Sequence, residues 1–175
     1  AAAIVCTEKA LTAYGFDKHR AVRVRASVIR SASHREYEDM ANHACRLGAM
    51  EAYEAAGLGP EDMDVAEVHD ASAMGEIIQA DNLGFCKIGE GGLLAESGAT
   101  RIGGRIPINP SGGLECRGHP IGATGLAQVF ELVTQLRGEA GKRQVDGARV
   151  AIQENGGGLF GVEEGSAHIG IFSRD

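Results

Sequence analysis

Short apolar runs alternate along this chain with segments of helical period, and that alternation restricts the fold to a few layered α/β arrangements. Residues 1–6, AAAIVC, read as a buried strand. Thr7 stands as an N-cap for a helix over residues 7–14, which Gly15 closes. In AVRVRASVI, Val22, Val24 and Ala26 alternate with Arg23, Arg25 and Ser27, the pattern of a half-exposed strand. After the polar loop RSASHREYED, Ala44, Leu47, Met50 and Tyr53 recur at helical spacing up to Gly57. The turn GPEDMD, with Asp62 and Asp64 as solvated turn residues, leads into VAEVHD, a short strand that runs into a loop. Residues 72–83 read as a helix, 84–104 as irregular glycine-rich chain, and RIPINPSGGL as a strand ending in a turn. Residues 121–136 form a strongly apolar helical pattern. Residues 148–153 read as a buried strand, followed by a glycine turn and a last strand, SAHIGIF. This order predicts an α/β layered domain with a largely parallel sheet closed by a hairpin.

Composition narrows the function classes. The net charge of -7 argues against a broad nucleic-acid surface. No apolar run reaches membrane-spanning length, so no membrane partner is expected. No basic-then-apolar leader is visible at the start, and the expected compartment is the cytoplasm. Cys6, Cys45, Cys86 and Cys116 are widely spaced without a CxxC pair, which argues against a zinc ribbon and fits reduced thiols; no metal ligand is assigned. Three of these cysteines read as buried or structural. The length of 175 residues suits one domain or one domain plus an appended piece, and the apolar start reads as part of something longer.

The 26 glycines cluster at 84–92, 103–125 and 156–165. In α/β sheets, functional groups gather at the carboxyl ends of strands. Three polar or glycine-rich stretches fall there: HDAS, SGGLECRGHP and ENGGG. Gly118 permits an unusual backbone angle, and Pro120 suits the first turn of a helix, so His119 is expected at a helix N-terminus, where the helix field favours a neutral imidazole. Such a group takes a proton from a thiol or donates to a developing oxyanion; alternatively it merely caps its own loop. His69 and Asp70 end a strand; His69 holds a water or acyl oxygen, or else bonds a neighbouring carbonyl. Glu154 is an acid/base if partly desolvated, and the N–H groups after it form either an anion-binding concavity or a tight hairpin turn. Cys116, three residues before His119, reads as a bystander because Glu115 disfavours a thiolate there.

Together these stretches resemble a known family. GHPIGATG (118–125), preceded by NPSGGL (109–114), resembles the C-terminal half of the thiolases. AEVHDAS (66–72) resembles the segment that in thiolases reads Asn-Glu-Ala-Phe and in the sterol-carrier type His-Asp-Cys-Phe. AGLGPEDMDVAEVHD has the spacing of the helix–turn–strand unit before that motif, and ENGGG lies where thiolases carry Cys-x-Gly-Gly-Gly. The resemblance covers nearly the whole chain. It implies a βαβαβαββ layered domain, the C-terminal half of a doubled fold, over residues 21–175. Residues 1–20 would be the tail of the N-terminal domain.

The resemblance also implies Claisen condensation or thiolysis of acyl-CoA thioesters, with the coenzyme A thioester as substrate and no further cofactor. His119 would deprotonate a nucleophilic cysteine lying outside this chain and contribute to an oxyanion hole. His69 would take the place of the asparagine that holds that hole's water, and the N–H of Gly156 would bind the acyl-enzyme oxygen. Asp70, Ser72, Gly118, Asn155 and Gly157 are the expected substrate-binding positions. Glu154 stands where the family carries its second cysteine, and HDAS lacks the family's phenylalanine. Expected partners are an N-terminal half or companion subunit, with a zinc-ribbon/OB-fold companion among the options, in a homo- or hetero-oligomer. Two other functions fit the departures: retro-aldol cleavage of β-hydroxyacyl-CoA, and non-catalytic CoA binding or assembly.

Overall fold

In the computed structural model, which describes residues 1–174, the chain runs α1 (Glu8–Ala13), β1 (Arg23–Ser31), α2 (Ala44–Ala56), β2 (Val65–Glu67), α3 (Ala73–Asn82), α4 (Gly91–Glu96), α5 (Gly113–Arg117), α6 (Thr124–Leu136), β3 (Val150–Phe160) and β4 (Glu163–Ser173). The four strands form one sheet in the order β1-β4-β3-β2. Local signals set the helix ends: as expected, Thr7 caps α1 and Gly57 closes α2 in the left-handed conformation, and Ser72 caps α3.

The sheet is not largely parallel. β3 and β4 pair antiparallel because a tight turn joins them, and β1 pairs antiparallel to the far side of β4. Only β2 runs parallel to β3, with Val65, Ala66 and Glu67 opposite Ala151, Ile152 and Gln153. RIPINPSGGL contributes one isolated parallel bridge, Ala66 to Ile108, rather than a strand. Residues 156–158 do not turn; they continue β3, and the reversal comes at Gly161 and Val162. Residues 1–6 form no strand and are exposed, since a strand exists only where a neighbour supplies its hydrogen bonds. Within residues 84–104, α4 forms because the Asp81 carboxylate accepts from the N–H groups of Gly89 and Gly91 and so orders the turn before it.

Alternation along β3 assigns its side chains to two layers. Ile152 packs with Ile169, Ile171, Ala49, Ala52, Tyr53 and Leu83 under α2 and α3. Ala151 packs with Val65, Phe172, Leu132 and Leu136 under α6. The inward face of α2 is made of small residues, among them Cys45, Gly48, Ala49 and Ala52, which brings the helix close to the sheet. Met50 is therefore not part of it and stands 59% exposed. In β1, a bulge between Val24 and Ala26 shifts the alternation, so Ala26 is buried and Val24 exposed. Asp64 is structural: its carboxylate accepts from the N–H groups of Arg149 and Val150 at 2.8 and 2.9 Å and starts β3. Asp62 likewise accepts from Gly59 N–H. Of the cysteines, only Cys45 is fully buried; Cys6 and Cys116 are exposed.

The expected apolar helix α6 is turned the other way. Gln128, Glu131 and Gln135 face inward beside Leu132 and Leu136, while Ile121 ahead of the helix and Phe130 on it are 84% and 69% exposed. The reason is the sheet end below. Gln128 Nε2 donates to the Glu154 carbonyl and Gln128 Oε1 accepts from Gln153, satisfying polar groups that an apolar face would strand. No described helix is long and apolar enough to cross a membrane.

Two long-range contacts fix the loops above the sheet. Buried Glu67 accepts from Ser111 N–H, Ser111 Oγ and Arg117. Asp70 accepts from Leu114 N–H at 2.7 Å, and a Cβ on Gly113, which sits at φ 61°, would fall 2.0 Å from Asp70 Oδ2. Gly113→Ala is expected to destabilise the protein by about 2–3 kcal/mol, read as a lowered urea midpoint at unchanged m-value. On the α2 side of the sheet, burial pushes the Glu154 carboxyl up from 4.5 to about 8. The unfolded chain then ionises first, and stability falls as pH rises between those values, by about 1.4 kcal/mol per unit from this group. Glu154→Gln is expected to remove that slope in denaturation curves taken at several pH values.

Candidate functional site

The loop after β2 begins with two anchored backbone groups. Val68 N–H donates to Asn109 Oδ1 at 2.8 Å, and His69 N–H donates to Glu154 Oε2 at 2.9 Å. Asn109 adopts φ 51°, a left-handed conformation that asparagine tolerates better than most residues. These bonds direct the half-buried His69 ring toward the end of β3, where its Nδ1 meets Asn155 Nδ2 at 3.2 Å. An amide NH2 only donates, so His69 Nδ1 accepts and its proton sits on Nε2. Burial, followed by the neighbouring His119, holds the His69 pKa below its ordinary value and keeps the ring neutral near pH 7.

His119 arrives from the opposite side. Gly118 ends α5 at φ 84°, with nothing within 4 Å of an added Cβ, so the glycine is required by the backbone angle rather than by space. Pro120 does not open α6. Residues 120–123 form a turn, and the helix starts only at Thr124. Thr124 is what fixes the imidazole: His119 Nδ1 lies 2.7 Å from its Oγ1, which in turn donates to the Pro120 carbonyl at 3.2 Å. With the hydroxyl hydrogen used on Pro120, His119 Nδ1–H is the donor, and Nε2 keeps its lone pair.

The two rings meet edge-to-face, centroids 4.9 Å apart and planes at 89°. The hydrogen-bond network gives them opposite tautomers, His119 presenting an acceptor Nε2 and His69 a donor Nε2–H. One group that takes a proton beside one that donates a hydrogen bond is the equipment for activating a nucleophile against a carbonyl.

The three loops thus come together, although not every expected residue faces the ring pair. Asn155 does. Glu154 lies on the other side of β3, fully buried, with Oε1 3.6 Å from the Cys45 thiol and Oε2 on the His69 backbone. Asp70 is buried and holds Leu114. Ser72 Oγ caps α3 by accepting from Gly75 N–H. Gly156 and Gly157 pair with Ala167 and Ser166 of β4, where a Cβ would lie 2.7 Å from Glu164 Cγ and 2.8 Å from Ser166 Oγ. They form strand rather than an anion-binding turn, because β4 pairs alongside them. Cys116 is exposed on α5, and the hydrogen bonds of both imidazoles go elsewhere. Thr124, Asn109 and Glu67 carry no sequence signal that marks them out. The threonine was within GHPIGATG, but its role depends on a turn that no local pattern announces.

Comparison with known proteins places the chain in a family. The model of the thiolase C-terminal domain-like family matches residues 26–169. An acetyl-CoA acetyltransferase of Methanothermobacter thermautotrophicus is 53% identical over 126 residues, 72% of this chain and 32% of its own. Sterol carrier protein 2 of Rattus norvegicus is 45% identical over 165 residues, 89% of this chain and 29% of its own. The benzoylsuccinyl-CoA thiolase subunit BbsB of Thauera aromatica is 36% identical over 160 residues, 90% of this chain and 41% of its own. The chain therefore spans about a third of the length of these curated relatives. A solved Ltp2-ChsH2(DUF35) aldolase shares the fold, with a TM-score of 0.71 at 23% identity over 88% of this chain and 40% of that one. The chain belongs to the thiolase family, as a domain of its C-terminal type.

Proposed function

We propose that this domain supplies the histidine half of an acyl-CoA active site whose nucleophilic cysteine lies outside these residues. The complementary tautomers of His119 and His69, 4.9 Å apart, carry the proposal. His119 Nε2 takes the thiol proton, and the thiolate attacks the thioester carbonyl. His69 Nε2–H then faces the developing oxyanion, directly or through a water, with Asn155 holding the ring. Glu154 acts from behind the sheet by fixing the His69 backbone. The reaction is Claisen condensation or its reverse, thiolysis.

The exposed apolar face carrying Ile121, Leu126 and Phe130 supports a larger assembly, because a patch of this kind is ordinarily covered. An N-terminal thiolase half or a companion subunit is the partner this reading requires, and a thiolase relative named as a subunit agrees with it.

A second reading, retro-aldol cleavage of a β-hydroxyacyl-CoA, is favoured by one observation. Glu154 is enclosed with Cys45 and the His69 backbone, away from the ring pair, so no second acid/base faces the cleft from that position. Parallel assays of the full-length protein on a 3-ketoacyl-CoA with free CoA and on a matched 3-hydroxyacyl-CoA separate the two; thiolysis without retro-aldol cleavage supports the first.

His119→Ala is expected to lower kcat by about 100-fold or more in whichever assay is active. Thr124→Val, which keeps the shape but frees the imidazole, is expected to lower kcat by about tenfold with KM nearly unchanged. Wild-type kcat in both variants would remove the histidine from the mechanism. Because burial holds the His69 pKa below its ordinary value, its protonation at lower pH is expected to set Nδ1–H against the Asn155 amide NH2 and release the ring, giving an acid limb in the kcat profile that His69→Gln is expected to abolish.

A further inference from the structure

We propose that His43, Cys45 and Glu164 form a binding site for one divalent ion of the zinc class, at the junction of α2 and β4. His43 and Cys45 are buried, and Glu164 is 20% exposed at its side chain, leaving a path from solvent. Glu164 Oε2 lies 3.5 Å from His43 Nε2 and 3.6 Å from Cys45 Sγ. One donor atom from each of the three residues lies within 4.8 Å of the others. Around a tetrahedral ion with bonds of about 2.0–2.3 Å, neighbouring donor atoms stand about 3.3–3.8 Å apart. Two of the three edges already have that length.

The donor set is selective. One imidazole nitrogen, one sulfur and one carboxylate oxygen suit zinc and its neighbours, whereas magnesium and calcium take oxygen. Three protein ligands leave a fourth position for solvent. The surroundings supply outer partners of the kind that orient metal ligands. Gln79 Nε2 donates to Glu164 Oε1 at 2.8 Å, and Glu163 Oε2 faces His43 Nδ1 at 3.9 Å. Gly156 makes room, since a Cβ there would fall 2.7 Å from Glu164 Cγ.

The protons balance as follows. Without the ion, His43 Nδ1 accepts from Cys45 N–H at 3.2 Å, so the ring proton is on Nε2. The ion takes the Nε2 lone pair, and the ring proton moves to Nδ1, toward Glu163; the Cys45 N–H and the Asn82 amide, whose Nδ2 lies 3.3 Å from Nδ1, give up that acceptor. The ion takes the Cys45 thiolate, and the thiol proton leaves to solvent. One proton is released per ion.

The test is titration of Co2+ into the metal-stripped, reduced full-length protein, followed by absorbance and proton release. Expected are a thiolate-to-cobalt charge-transfer band and tetrahedral visible bands that saturate together at one equivalent of this site. Cys45→Ser should lose the charge-transfer band, Glu164→Gln should weaken binding by about tenfold or more, and Cys86→Ser should change neither. Circular dichroism checks the fold of each variant; should Cys45→Ser not fold, the partly exposed Glu164 position decides. A wild-type spectrum without the thiolate band, or the same band and affinity in Glu164→Gln, overturns the site.

Discussion

The parallel pairing of β2 with β3 is the constraint on which the site depends. Its register sets Glu67 opposite Gln153, so the chain leaving β2 passes the next two residues of β3. Glu154 accepts from the His69 N–H and Asn155 donates to the His69 ring, from opposite faces of one strand. A slip of one residue would exchange those faces, pointing a carboxylate at the imidazole and burying an amide beneath α2. The antiparallel pairing of β3 to β4 locks that register from the other side over ten residue pairs, Val150–Ser173 to Phe160–Glu163.

A second theme is how the fold accommodates polar groups inside. Glu67, Glu154 and Glu163 are buried carboxylates, each with several donors: Ser111 and Arg117 for the first, His69 and Cys45 for the second, Ser33, Arg35 and Ala44 for the third. Each bridges elements far apart in sequence. A buried carboxylate is stabilised only with its partners present, so these groups specify relative placement more than they add stability. The same logic orients α6: its glutamines serve the sheet beside Leu132 and Leu136, and Phe130 is left outward.

Much of the chain was legible because the signals are local. The cap at Thr7 and the glycine after α2 act within a few residues. The motif stretches 66–72, 109–125 and 154–158 located the loops that converge, and His69, His119 and Asn155 meet there. The misplacements share a cause. Residues 156–158 read as a turn by composition, yet β4 recruits them as strand; residues 106–109 read as a strand, yet only one bridge forms. Local propensity for turn or strand is decided by whether a partner strand lies alongside.

The sequence by itself therefore determined the α/β class, several helix boundaries and the thiolase resemblance, and it named the two histidines that meet, all of which depend on short-range chemistry or on contiguous motifs. Only the tertiary structure decided which way each proton points, through Thr124 and Asn155, and which face of the sheet Glu154 occupies. It alone brought Cys45 to Glu164, 119 residues away. The physical reason is the same in each case. Hydrogen-bond direction and side-chain proximity follow from strand register and helix packing, and these are properties of distant segments brought together, on which neighbours in the chain carry no information.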